Sequence, residues 1–125
     1  WLPNRANVSF VRVLGPEAIF VRTFERGVGL TDSCGSAMAA SAFAAALTGR
    51  TEFAREVTVR NKGGLVMARA EGDGMVALRG NATWEWAGAV SVDLSTGIAG
   101  DLTVARHFND EIAAWAAVAE ASAAA

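Results

Sequence analysis

Apolar and polar positions alternate over much of the first 93 residues, and this two-residue period is typical of β-strands. The segments that follow it are 8–13, 18–24, 56–60, 65–70, 75–79 and 83–93. Turn sequences rich in glycine, asparagine and aspartate separate several of them, as at 61–64 and 71–74. The pattern therefore predicts antiparallel hairpins within a single curled, barrel-like sheet.

Segment 36–48 departs from this alternation because it is rich in alanine and has no β-branched residue before its last position. Gly49 follows it, at the position where a glycine commonly ends a helix. Every position is apolar or small, so the predicted helix has no side suited to water. We therefore expect an α+β fold in which the antiparallel sheet wraps around a buried central helix.

A second helix is predicted near the end of the chain. Asn109 is a favourable N-cap, and two acidic residues, Asp110 and Glu111, follow in the first turn, where the helix dipole favours negative charge. We place one domain at 1–93 and expect 94–125 to be an extension whose helix packs on it.

Composition narrows the function classes. The 11 basic and 13 acidic residues leave a net charge of -2 without any run of like charge, which argues against nucleic acid and anionic membranes as partners. The most apolar stretch, 37–47, is shorter than the roughly 20 residues that a membrane-spanning helix needs. Cys34 has no second cysteine to pair with, and no signal peptide is recognisable, so we expect a cytoplasmic protein. The start at Trp1, without methionine, indicates a piece of a longer protein.

Cys34 is the first candidate for chemistry because it lies just before the predicted central helix. Free backbone N–H groups and the positive end of the helix dipole favour a thiolate at such a position. The same amides, beginning at Gly35 and Ser36, are suited to binding a carboxylate. The alternative is an inert cysteine that fills the helix entrance as a small apolar residue.

The residues around Cys34 match a known pattern. The sequence ERGVG at 25–29, Thr31 and the sequence SCGS at 33–36 resemble the second signature of diaminopimelate epimerases. Asn7, within the sequence PNRANVSF, resembles the substrate-binding asparagine of that family, and the resemblance extends over about residues 3–88.

The resemblance implies a fold of two similar halves, each a barrel around a helix, with the active site between them. Two cysteines would interconvert LL- and meso-diaminopimelate without pyridoxal phosphate or any other cofactor, a step of lysine and peptidoglycan biosynthesis. Cys34 would be the acid/base of the second half. The substrate-binding positions that the resemblance implies are Asn7, Glu25, Arg26, Gly35 and Ser36.

Two departures from the family pattern stand out. Ala37 replaces a family glycine, and the first signature, with its own cysteine, is absent. We therefore expect the chain alone to be inactive, and to expose an apolar face that binds the missing N-terminal half or a second copy of itself.

Other readings stay open at this stage. The chain could be a non-catalytic carboxylate-binding or assembly module, or a relative of proline racemase. Glu25 and Arg26 could be a solvated pair, and Asn7 a turn residue. His107, the single histidine, lacks partners at the spacing of a metal site or catalytic triad, so we interpret it as a surface residue.

Overall fold

The computed structural model describes residues 3–125. Two compact units make up the chain. One runs to Asn81 and includes Ala117–Ala125, and the other is Ala82–Ala116.

The first unit contains a six-stranded sheet and a helix. Its elements are β1 Val8–Gly15, β2 Ala18–Glu25, β3 Gly29–Thr31, α1 Gly35–Leu47, β4 Glu56–Asn61, β5 Gly64–Ala70 and β6 Val76–Arg79. The strand order is β1-β2-β4-β5-β6, with β3 also paired to β2. The five strands predicted in this region are present within two residues of their expected bounds. The three-residue β3 was not predicted, because so short a segment shows no alternation.

The sheet is mixed rather than antiparallel. Strand β2 runs parallel to β4, with Ile19 opposite Val59, whereas the other pairs in this sheet are antiparallel. The prediction of an antiparallel sheet is therefore wrong at this one pair. The physical reason is that α1 lies between β3 and β4 in the chain, and a crossover through a helix allows the next strand to enter in the direction of the earlier one.

Helix α1 covers one face of this sheet and forms the core with it. The buried residues of the core are Ile19, Val21, Met38, Ala42, Ala45, Val57, Val59 and Ala68. The three helical members recur at intervals of four and three residues, so they lie on one side of α1. Because two of them are alanines, the helix backbone can lie close to the strands.

The opposite side of α1 is not covered. Ala40, Ala44 and Leu47 are exposed, and the strand order ends at β1 and β6 rather than forming a ring. The expectation of a helix buried on all sides is therefore wrong for this chain. The expectation rested on composition, and small apolar residues on every side of a helix do not reveal whether its own chain covers each side.

The end of α1 agrees with the prediction. Thr48 is the C-cap, and Gly49 follows with a left-handed φ of 69°. Its N–H donates to the carbonyl of Ala46. A glycine adopts this conformation without the Cβ clash of other residues.

The second unit is built on short paired strands. They are β7 Trp86–Ala89, β8 Val92–Asp93, β9 Ile98–Ala99 and β10 Thr103–His107. Strand β7 pairs with β10 and β8 with β9, both antiparallel. The strand predicted at 83–93 is thus interrupted, and β9 and β10 were not predicted. None of residues 82–116 is buried.

Helix α2, Asn109–Ala123, confirms the predicted second helix. The carbonyl of Phe108 accepts the N–H of Ile112, so the cap is Phe108 and Asn109 is the first helical residue. The predicted N-cap is therefore wrong by one position. Near the other end, the buried Ser122 donates its hydroxyl hydrogen to the carbonyl of Gly64, at 2.6 Å. Neither helix in residues 3–125 has the length and apolar character that crossing a membrane requires.

Candidate active site

Cys34 occupies the N-cap position of α1. Its backbone is extended, with φ -148° and ψ 103°, and its carbonyl accepts the N–H of Met38 at 2.9 Å. The half-buried side chain makes no capping hydrogen bond, and its Sγ lies 3.5 Å from the Oγ of Ser36. Gly35 and Ser36 are exposed. The first amides of the helix, which have no intrahelical acceptor, are thus left beside a thiol at an exposed helix end.

Asn7 and Arg26 are brought together where β1 begins and β2 ends. The antiparallel register places Val8 opposite Phe24, so the residues just outside the pair become neighbours. The Oδ1 of Asn7 accepts the backbone N–H of Arg26 at 2.8 Å. The guanidinium of Arg26 donates to the carbonyl of Asn4 at 2.9 Å and is otherwise exposed. Its remaining N–H groups are therefore suited to an anionic group.

Glu25 belongs to the same corner. Its carboxylate accepts a 2.5 Å hydrogen bond from the hydroxyl of Thr31 across the β2–β3 turn. Gly27 and Gly29 take left-handed φ values of 81° and 103° in this turn, which explains the glycine spacing of the motif. Because β3 continues directly to Cys34, Glu25 is attached to the segment that carries the thiol.

The described contacts thus form two groups. One contains Asn7, Glu25 and Arg26, and the other contains Cys34 with Ser36. Thr31 and strand β3 connect the first group to the second, and the described hydrogen bonds do not join them directly. Ala37, which replaces the family glycine, is half-buried in the first turn of α1.

A third element beside Cys34 was missed by the sequence analysis. It is the turn between β4 and β5, whose Gly63 N–H donates to the carbonyl of Asp32 at 2.8 Å. Lys62 pairs with the carboxylate of Asp32 at 3.2 Å. The glycine pair at 63–64 was visible in the sequence, but it indicated only a hairpin, because long-range contacts have no local signal.

His107 is exposed on β10, as its interpretation as a surface residue required. Within residues 3–125, the His, Cys, Asp and Glu side chains do not gather in groups of three that could hold a metal ion.

The model of the diaminopimelate epimerase family matches residues 2–85. Diaminopimelate epimerase of Lactiplantibacillus plantarum is 49% identical over 88 residues, which cover 66% of this chain and 26% of that protein. The enzyme of Rhizobium meliloti is 48% identical over 97 residues, covering 77% of this chain and 31% of its own length. That of Listeria monocytogenes is 42% identical over 100 residues, covering 77% and 30%.

These matches leave most of each relative uncovered, since the chain spans about a quarter to a third of their length. The family match nevertheless includes Cys34, its helix and the corner formed by Asn7, Glu25 and Arg26. The chain belongs to the diaminopimelate epimerase family.

Proposed function

We propose that this chain supplies one half of the active site of a diaminopimelate epimerase, with Cys34 as one of two acid/base groups. The observation that carries the proposal is the placement of Cys34 at the uncapped N-terminus of α1, in a chain of this family. This family match favours an epimerase over a proline-racemase-like enzyme. It also weighs against a module that only binds carboxylates.

The proposed reaction moves one proton on each face of the α-carbon. A thiolate takes the α-proton from one face, so that an S–H bond forms while the C–H electron pair stays on the substrate. A thiol on the opposite face then donates its proton to that carbon, inverting the configuration. Cys34 supplies one sulfur, and the second must come from outside this chain, since it contains a single cysteine.

The remaining site residues have roles that fit their chemistry. The amides of Gly35 and Ser36 hold the reacting α-carboxylate, because a helix N-terminus stabilises negative charge as it develops. The guanidinium of Arg26 binds a carboxylate through its planar pair of N–H groups. Asn7 and Glu25, together with Arg26, help to recognise the substrate's amino and carboxylate groups, and their hydrogen bonds to Arg26 and Thr31 fix their orientation beforehand.

The uncovered side of α1 is the proposed docking surface for the rest of the enzyme. Val11 and Val13 of β1 lie beside the exposed Ala44 of α1 in an open groove of about 480 Å³. Strand β1 is also at the edge of the sheet, where its free N–H and C=O groups can pair with another strand. A strand added there would extend the sheet around α1 toward the barrel that the resemblance implies.

Two further parts of the proposal follow from the same reading. The epimerase domain ends near residue 93, with 94–125 as an extension, and the enzyme acts in the cytoplasm. The isolated chain, with its docking surface uncovered, also self-associates.

The test is exchange of the α-proton of LL-diaminopimelate in deuterated water. We expect no exchange with the chain alone and clear exchange when it is combined with a matching N-terminal half. In the combined enzyme, Cys34→Ala should reduce conversion of LL- to meso-diaminopimelate by at least about 100-fold, because inversion needs both sulfurs and a general acid/base contributes this much. Ser33→Ala, a change at the neighbouring exposed residue, serves as the control and should retain activity.

Two outcomes would contradict the proposal. Full conversion of LL- to meso-diaminopimelate by the Cys34→Ala enzyme would remove Cys34 from the mechanism. Turnover by the chain alone would show that it does not need a second half.

A further inference from the structure

The turn between β4 and β5, residues 61–64, contacts the Cys34 segment on both sides of the cysteine. Before Cys34, Asp32 accepts the N–H of Gly63 at 2.8 Å and pairs with Lys62 at 3.2 Å. After Cys34, the Sδ of Met38 accepts a hydrogen bond from the side-chain Nδ2 of the buried Asn61 at 3.0 Å. Because Met38 in turn donates its N–H to the carbonyl of Cys34, this turn braces the first turn of α1 as well as the loop before it.

The closest contact in this arrangement is made by Gly63. A Cβ built on Gly63 would lie 3.1 Å from the carbonyl oxygen of Asp32 and 3.4 Å from the Cβ of Ser33. The neighbour at the shorter distance is backbone, which cannot rotate away as a flexible side chain can. Any residue larger than glycine must therefore push back the loop that leads to Cys34.

The backbone conformation of Gly63 gives no other reason for a glycine. Its φ is not in the left-handed region, whereas that of the following Gly64 is 136°. Close approach to the Cys34 loop, rather than an unusual backbone angle, is what a side chain at position 63 would disturb.

The next hairpin provides an internal comparison. Gly72 lies in the turn between β5 and β6, its φ is also outside the left-handed region, and a Cβ there would meet nothing within 4 Å. The two glycines therefore occupy neighbouring hairpin turns and differ in whether the turn presses on another segment.

We propose that the β4–β5 turn fixes the position of the Cys34 sulfur and that Gly63 is its main positioning residue. The inference rests on the proposed role of Cys34 and extends it to a segment about 30 residues away in sequence. Proton transfer to and from carbon depends on the placement of the acid/base to within about 0.5 Å. A displacement of a few tenths of an ångström at the Asp32 carbonyl is large enough to matter on this scale.

The experiment compares Gly63→Ala and Gly63→Val with Gly72→Ala and Gly72→Val. The first measurement is the rate of Cys34 alkylation by iodoacetamide at one fixed pH, on folded chain verified by circular dichroism. We expect the rate to change in the Gly63 variants, more for valine than for alanine, since the sulfur shifts relative to the helix amides and the Ser36 hydroxyl. The Gly72 variants should react at the rate of the parent chain.

The second measurement is α-proton exchange in the enzyme combined with its N-terminal half. Gly63→Ala should lower kcat about threefold and leave KM unchanged, on the scale that a 1 Å displacement costs about 100-fold. A purely structural role would lower the melting temperature without changing the alkylation rate of the folded chain. The two measurements also separate the positioning role of Gly63 from the proposed epimerase function. Alkylation reports on the sulfur even if the combined enzyme never turns over.

The outcomes decide the proposal in each case. Folded Gly63 variants whose alkylation rates equal those of the Gly72 variants would overturn it. If neither Gly63 variant folds, Asn61→Ala replaces them, because it removes the hydrogen bond by which this turn holds Met38 beside Cys34 and changes no charge. A changed alkylation rate in the folded Asn61→Ala chain supports the proposal, and an unchanged rate refutes it.

Discussion

Strands β1 and β2 have similar sequences and opposite environments. They pair along their whole length, with Val11 opposite Val21 and Val13 opposite Ile19, so these four side chains lie on one face of the sheet. On β2 they are 0–2% exposed under helix α1, whereas on β1 they are 40–42% exposed. Apolar sequence therefore predicts a strand, but burial depends on what covers it. At β1, helix α1 leaves these side chains exposed.

The largest effect should come from an identical change on the two strands. Val21→Ala leaves a cavity in the core and should lower the free energy of unfolding by about 2.5 kcal/mol. Val11→Ala, at the cross-strand partner, should cost less than about 1 kcal/mol, because the side chain already contacts water. Urea unfolding of both variants measures the difference. Equal losses would mean that the exposed face of β1 is covered in solution.

Helix α1 allows the same comparison with a larger side chain. Ala42 is 2% exposed and faces the sheet, whereas Ala40 lies on the uncovered side. Ala42→Leu should overpack the core and cost about 2 kcal/mol, while Ala40→Leu should change stability by less than about 0.5 kcal/mol. In the combined enzyme the two variants should differ less in stability, because Ala40→Leu would then obstruct docking of the other half. Unfolding of the chain and affinity for that half are the two measurements.

These contrasts mark what the sequence could predict. The alternation around Ile19 and Val57 located the strands well, because the two-residue side-chain period is a local property of the chain. The Cys34 motif and the cap at Gly49 were likewise read from adjacent residues. The parallel pairing of β2 with β4 and the contact of Gly63 with Asp32 were not, since both join segments that are distant in sequence.

The exposure of one side of α1 was not predicted, for a different reason. An all-apolar helix predicts that every side is covered, and it carries no information about which chain supplies the cover. The exposure of Ala40 and Val11 agrees with the proposed docking surface, which the other half of the enzyme would cover.

Self-association tests the uncovered face directly. Val11→Lys places a charge on the edge strand and should weaken association of the isolated chain about tenfold, because a lysine at a sheet edge opposes pairing with another strand. Val28→Lys is the matched control, since Val28 is 74% exposed in the β2–β3 turn and lies outside the edge strand. Light scattering over a concentration series gives the association constants. A parent chain that stays monomeric at high concentration would contradict the proposed docking surface.

The smallest expected effect is in the second unit, in which none of residues 82–116 is buried. The turn after β8 depends on local hydrogen bonds, in which the carboxylate of Asp93 accepts the hydroxyl of Ser95 at 2.7 Å and its N–H at 2.8 Å. These bonds, with a further contribution from Thr96, lower the pKa of Asp93 from its ordinary value of 3.8 to about 2. A lowered folded-state pKa means that the carboxylate stabilises this turn fully above pH 3.8 and loses that effect as the pH falls through about 2.

An NMR titration of the Asp93 carboxyl tests this account and extends the contrast between covered and uncovered regions. Ser95→Ala should raise the pKa of Asp93 toward 3.8, because the hydroxyl bond is the largest cause of its lowering. Thr96→Val should raise it less, and Val21→Ala, in the core of the other unit, should leave it unchanged. Because Asp93 is fully exposed, solvent screens its charge and the change in overall stability should be small. A pKa that stays near 2 in Ser95→Ala would show that the turn is held by contacts other than these hydrogen bonds.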